Sequence, residues 1–168
     1  ARMAKGDVKV AAIQRSRGYA RRNSLVIDKI AEAIRVVKEA SPDTVVMVDN
    51  CYGEFTEDRE PTEVGADLFV GSMMKNLGAG FAVSGAYVVG TRRAVEDVAE
   101  RLTAPCVGKS LGANFNQLAS FYKGFFMAPA AVASTLKSMV FAARMLELAG
   151  FSGISPRYDE PRTDIVQT

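Results

Sequence analysis

The sequence contains no histidine among its 168 residues. Serine–histidine and cysteine–histidine nucleophile systems are therefore excluded for this chain, and so is a histidine metal centre of its own. Cysteine is scarce. Cys51 and Cys106 form no CxxC pair and supply no zinc set, and two free thiols suit a reducing cytosol. No uninterrupted apolar run reaches the roughly 18 residues that a membrane-spanning helix needs, and no signal peptide opens the chain. A surplus of one charge is missing too. With 21 basic and 19 acidic residues the formal charge is +2, too balanced to single out nucleic acid or a membrane as partner. Chemistry on this chain must run on lysine, carboxylate, arginine, hydroxyl or a cofactor.

What is present is enough for one domain with its own core: 48% apolar and 24% charged residues. Val8 to Ile13 reads as a strand. Ser24 is placed to cap a helix in which Ile27, Ile30, Ala31, Ile34 and Val37 recur at helical spacing. Ser41-Pro42-Asp43 stops it. Thr44 to Val48 is a near-continuous apolar run, the mark of a strand buried on both faces. This β-α-β order predicts a parallel sheet with a right-handed crossover.

Ala66 to Gly71 and Ala86 to Val89 read as further strands. The link between them is short, glycine-rich and without helical pattern, which predicts an antiparallel fourth strand. Gly78-Ala79-Gly80 reads as a turn within that link. Thr91 is placed to cap a helix running to about Leu102. Asn114 to Leu148 reads as helical, broken near Ala128-Pro129. Asp164-Ile165-Val166-Gln167 reads as the opening of another strand, and the chain is expected to be the middle of a longer protein.

Two residues stand out by position. Asp49 lies at the carboxyl end of a buried strand, the edge at which open α/β sheets bind ligands. Lys75 lies just past the end of the next strand, between apolar residues and a glycine-rich turn. Partial desolvation there would favour the neutral amine, the form that condenses with an aldehyde. Pyridoxal phosphate (PLP) needs such a pair. A lysine holds its aldehyde as a Schiff base, and a carboxylate keeps a proton on the pyridine nitrogen. The alternatives are that Asp49 caps a turn beside a solvated Lys75, or that Asp49 with Glu54, Glu57 or Asp58 binds Mg²⁺ in a metal- or phosphate-binding module.

Val48-Asp49-Asn50-Cys51-Tyr52, Glu63 to Leu68 and Ser72 to Lys75 resemble the cysteine/methionine-metabolism family of fold-type I PLP enzymes. Gln14 to Tyr19, Asp49 to Phe55, Glu60 to Asp67 and Arg162-Thr163-Asp164-Ile165 resemble more closely its aluminium resistance branch, described as methionine γ-lyase-like or cystathionine β-lyase-like. The resemblance covers almost the whole chain. It implies an α/β fold, part of the large PLP-binding domain, with a mostly parallel sheet and one antiparallel strand. Residues 1–150 would belong to that domain, and 151–168 would open a C-terminal small domain.

The resemblance also implies that Lys75 carries PLP, that Asp49 pairs with its pyridine nitrogen and that Ser72 binds its phosphate. Met74 stands where many relatives have a second, phosphate-binding threonine. Ser16 or Arg17 would reach the site from the preceding strand end, unless that loop makes only surface or dimer contacts. The implied function is a cytoplasmic, PLP-dependent carbon–sulfur lyase, a homodimer or homotetramer when intact, acting on a sulfur-containing amino acid. A non-catalytic scaffold that keeps the fold is the remaining alternative.

Overall fold

A computed structural model describes residues 8–20, 22–110 and 116–168. Its sheet has the order β1 (Val10–Gln14), β2 (Val45–Asp49), β3 (Leu68–Ser72), β4 (Ala86–Gly90). The first three strands run parallel; β4 is antiparallel to β3, with Ser72 opposite Ala86. The glycine-rich link fits the reversal, because it holds only a 3-10 turn and no crossover α-helix to carry the chain back to the starting edge. Gln14 lies opposite Asp49, and Asp49 opposite Val70, so three carboxyl-terminal strand ends meet at one edge.

Helix α1 (Ile27–Ala40) crosses between β1 and β2. Ile27, Ile30 and Ile34 bury its apolar stripe against Val46, Val48, Ala66 and Phe69. Each such aliphatic side chain gains about 1.5–3 kcal/mol from burial. The side chains of β2 alternate. Val46 and Val48 are fully buried, whereas Val45, Met47 and Asp49 are half-buried. The expectation of a strand buried on both faces is thus met on the α1 face only. Thr91 caps α2 (Arg92–Leu102) as its position foretold, its hydroxyl accepting from Ala94 N at 3.3 Å.

Three local expectations need correction. Ser24 does not cap α1. The Glu57 carboxylate, from the loop after β2, accepts from Ile27 N at 3.0 and 3.2 Å. Its negative charge suits a helix N-terminus. Helix α3 (Leu118–Leu148) runs through Pro129 unbroken, because its buried side, Gly124, Ala128 and Val132, is fixed by packing around the proline. Asn114 lies outside the described residues. Residues 164–167 form no strand. Asp164 is buried, and the chain there is tied down by side-chain bonds.

Helix α3 also changes the reading of hydropathy. It is long and apolar enough to cross a membrane by length and composition, and only 11% of its most apolar stretch is buried. Scattered polar residues hid this in the sequence, where no unbroken apolar run is long enough. Helical geometry joins the apolar segments on either side of Lys137 into one rod.

Candidate active site

The loop after β2 is built around Arg15, which is fully buried. Its guanidinium donates to Asn50 Oδ1 at 2.8 Å and to Glu57 Oε2 at 2.6 Å. Asn50 Nδ2 in turn donates to Glu60 Oε2 at 2.8 Å. Burial pushes the Glu60 carboxyl above its ordinary range, against the pull of Asn50, Phe55 N and Arg15. Gly53 is obligatory in this loop, since a Cβ there would overlap the Arg15 and Asn50 side chains. Behind the loop, Glu54 is buried and accepts from Tyr87 Oη at 2.5 Å. Burial raises the Glu54 carboxyl, and burial with the adjacent carboxylate raises the Tyr87 phenol.

The loop after β3 is held differently. A 3-10 turn, Asn76–Gly78, ends on Ala79 in the left-handed region. A Cβ on Gly78 would fall on the Met73 carbonyl, and a Cβ on Gly124 of α3 would fall on that of Gly78. Asn76 Nδ2 donates to Glu54 O at 3.1 Å and joins the two loops.

Between the loops and the tail lies a cleft of about 580 Å³, lined by Gln14, Ser16, Asp49, Tyr52 and Lys75, with Ile165 to Gln167 as one wall. Lys75 Nζ stands 4.3 Å from the centroid of the Tyr52 ring. Asp49 Oδ1 accepts from Cys51 N at 3.1 Å and braces the turn that carries Tyr52. The electrostatics of Lys75 differ from expectation. Partial burial does pull its ammonium down, but Cys51, Tyr52 and Asp49 push it up, and the net shift is above the ordinary 10.5. The Cys51 thiol is raised, chiefly by burial.

The residues singled out by sequence separate here. Asp49, Lys75 and Ser16 share the cleft. Ser16 donates its hydroxyl proton to Asp164 Oδ2 at 2.9 Å and accepts from Gly18 N at 3.1 Å. Arg17 is buried and turns away, its guanidinium donating to Ser155 Oγ at 2.9 Å and its amide to Asp164 Oδ2 at 2.9 Å. Ser72 lies at the end of β3 outside the cleft lining, and Met74 N donates to its Oγ at 3.1 Å. The carboxylates of the metal-binding alternative are dispersed: Glu54 serves Tyr87, Glu57 serves Arg15 and α1, and Asp58 is exposed. Among the described residues no group of three metal-ligating side chains converges.

The family model described as methionine gamma-lyase matches residues 1–168. The chain belongs to that family. Relatives of this methionine gamma-lyase family member include the uncharacterised protein YnbB of Bacillus subtilis, 49% identical over 160 residues, which are 95% of this chain and 38% of that one. The crystal structure of a carbon–sulfur lyase involved in aluminium resistance from Clostridium novyi superposes with a TM-score of 0.90 at 42% identity, covering 99% of this chain and 39% of that one. A candidate cystathionine beta-lyase involved in aluminium resistance from Clostridium acetobutylicum gives a TM-score of 0.92 at 46% identity, covering 98% and 39%. The chain thus spans less than half the length of these relatives. Its fold is that of PLP fold-type I enzymes, with a mostly parallel sheet and one antiparallel pair, and its family is one of carbon–sulfur lyases.

The residues of this family member fit a PLP group. An amine and a carboxylate from neighbouring strand ends line one cleft, whose size falls in the ordinary range for small-ligand sites. Sequence reasoning missed Arg15, Asn50, Glu57 and Glu60, which hold the Asp49 loop. Arg15, Asn50 and Glu60 stood in the motifs that carry the resemblance and Glu57 among the candidate metal ligands, but nothing local in the sequence pairs the arginine with the acids.

Proposed function

We propose that the intact protein is a PLP-dependent carbon–sulfur lyase acting on a sulfur-containing amino acid such as methionine, cystathionine or cysteine, by β- or γ-elimination. The observation that carries this reading is the shared cleft of Lys75 and Asp49 in a member of this family. Lys75 would hold the cofactor covalently, Asp49 its pyridine nitrogen and Ser72 its phosphate. When bound, PLP supplies an electron sink for charge released at the substrate Cα.

The chain's own groups then have definite tasks. Lys75 Nζ, once released, accepts the Cα proton and returns it elsewhere. Asp49 would hold the pyridine nitrogen of the cofactor and favour its protonated form. Ile165 and Val166 supply an apolar part of the cleft wall. Ser16 offers only a lone pair, its proton being committed to Asp164.

The same reading makes the intact enzyme a cytoplasmic homodimer or homotetramer and makes residues 151–168 the opening of its small domain. Helix α3 lies within the region matched by the crystallised lyases, which supports an internal enzyme helix rather than a membrane span.

Borohydride reduction of the cofactor-loaded protein, followed by digestion and mass spectrometry, should place a pyridoxyl group on Lys75. A label on another lysine, or none, refutes the assignment. Asp49→Asn should retain the cofactor while elimination falls roughly 100-fold, equivalent to about 2.7 kcal/mol. Elimination at the wild-type rate with cofactor bound would remove Asp49 from its role. Sensitivity to EDTA and restoration by Mg²⁺ would instead favour the metal-binding module.

A further inference from the structure

Tyr52 has a φ of +69°, in the left-handed region that a bulky side chain seldom adopts. Such a conformation persists where its surroundings over-determine it. Here Asp49 Oδ1 accepts from Cys51 N at 3.1 Å, Gly53 N donates to Asn50 O at 2.8 Å, and the buried Arg15 side chain packs against Gly53. The outcome is a ring whose face meets Lys75 Nζ at 4.3 Å. Tyr52 and Lys75 stand together in the walls of two cavities. One is the Asp49 cleft, and the other, of about 410 Å³, is bounded by Met74, Ala79 and Val132.

The geometry points to Tyr52 as a positioning residue for Lys75: its ring face seats the free ammonium and holds Nζ at the Asp49 cleft whenever the amine is not bonded to cofactor. This rests on Lys75 being the cofactor-bearing lysine. An aromatic face attracts a cation and not a neutral amine. The seat therefore restrains a flexible four-carbon chain and favours its charged state together. The ring face performs this task, and the phenolic hydroxyl is not required for it. Cys51 and Asp49 also face this amine and raise its proton affinity, while Glu54 lies within electrostatic reach behind it.

The test uses the intact protein with Tyr52→Phe and Tyr52→Gly. In the cofactor-free protein, the pH dependence of Lys75 acetylation by acetic anhydride, read by mass spectrometry of its peptide, gives the proton affinity of that amine. Tyr52→Gly should lower the apparent pKa by about 0.5, while Tyr52→Phe keeps the wild-type value. In the loaded enzyme the limb of the rate profile that reports Lys75 should move by the same amount. Thermal stability of Tyr52→Gly should hold or rise, since glycine relieves the positive φ.

An unchanged Lys75 titration in Tyr52→Gly overturns the proposal. So does a fall in Tyr52→Phe as large as in the glycine variant, which would assign the effect to the hydroxyl. Borohydride mapping of the wild type separates the two claims. A label on another lysine defeats the lyase reading of Lys75, and with it the use proposed for Tyr52, even where the acetylation result shows the seat itself.

Discussion

The loops after β2 and β3 each deliver one member of the candidate pair, and they are built from opposite materials. The Asp49 loop is organised by charge: one fully buried arginine, three acceptors on Asn50, Glu57 and Glu60, and a carboxylate that also caps α1. The Lys75 loop is organised by close backbone approach, with Gly78 under Gly124 and a left-handed Ala79. A charge-built loop responds to protons and to the loss of one partner, because a buried charge without its partner is costly. A packing-built loop responds to volume and is indifferent to pH. Asn76, donating to Glu54 O, couples the two and keeps amine and carboxylate on one cleft.

The largest expected effect falls on the charge-built side. Arg15→Met in the intact protein should cost about 3 kcal/mol in urea unfolding at pH 8, since Glu57 and Glu60 lose their cation. Glu60, already raised by burial, then titrates further above its unfolded value. The stability it supports is full below the unfolded pKa and lost as pH rises through the folded one. The penalty of Arg15→Met should therefore shrink towards pH 5. An equal penalty at both pH values would break the comparison.

Gly124→Ala tests the other loop. Its Cβ meets the Gly78 carbonyl, so α3 or the turn must shift, at about 2 kcal/mol. Urea unfolding at pH 5 and pH 8 should give the same loss, and a marked difference would show that charge, too, governs this loop.

The smallest effect sharpens the picture behind both loops. Burial raises the Glu54 carboxyl above its ordinary 4.5. Its contribution to stability is thus complete below about pH 4.5 and declines as pH rises through the folded value. Glu54→Gln keeps an acceptor for Tyr87 and removes that decline. Its melting temperature should exceed wild type at pH 8, by the equivalent of about 1 kcal/mol, and converge with it near pH 4.5. A variant that melts in parallel with wild type across this range would mean that the Glu54 carboxyl titrates alike in the folded and unfolded protein.

Hydrophobic periodicity and glycine spacing by themselves determined the β-α-β unit, the antiparallel β4 and the stripe of Ile27, Ile30 and Ile34, because these patterns act over a few residues and along one element. Position at strand ends likewise singled out Asp49 and Lys75, which the fold brings to one cleft. Tertiary structure alone decided the rest. Ser24 was the local cap, yet a carboxylate from 30 positions away reaches Ile27 N. Pro129 was the local break, yet packing around Gly124 and Ala128 carries α3 through it. Asp164 resembled the start of a strand, yet it is buried and accepts from Ser16 and Arg17 across the fold. Lys75 was expected to lose proton affinity by burial, yet Cys51, Tyr52 and Asp49 outweigh that loss. In each case the deciding partner is distant in sequence or set by a backbone turn, and its electrostatic or steric contribution exists only once the chain has closed upon itself.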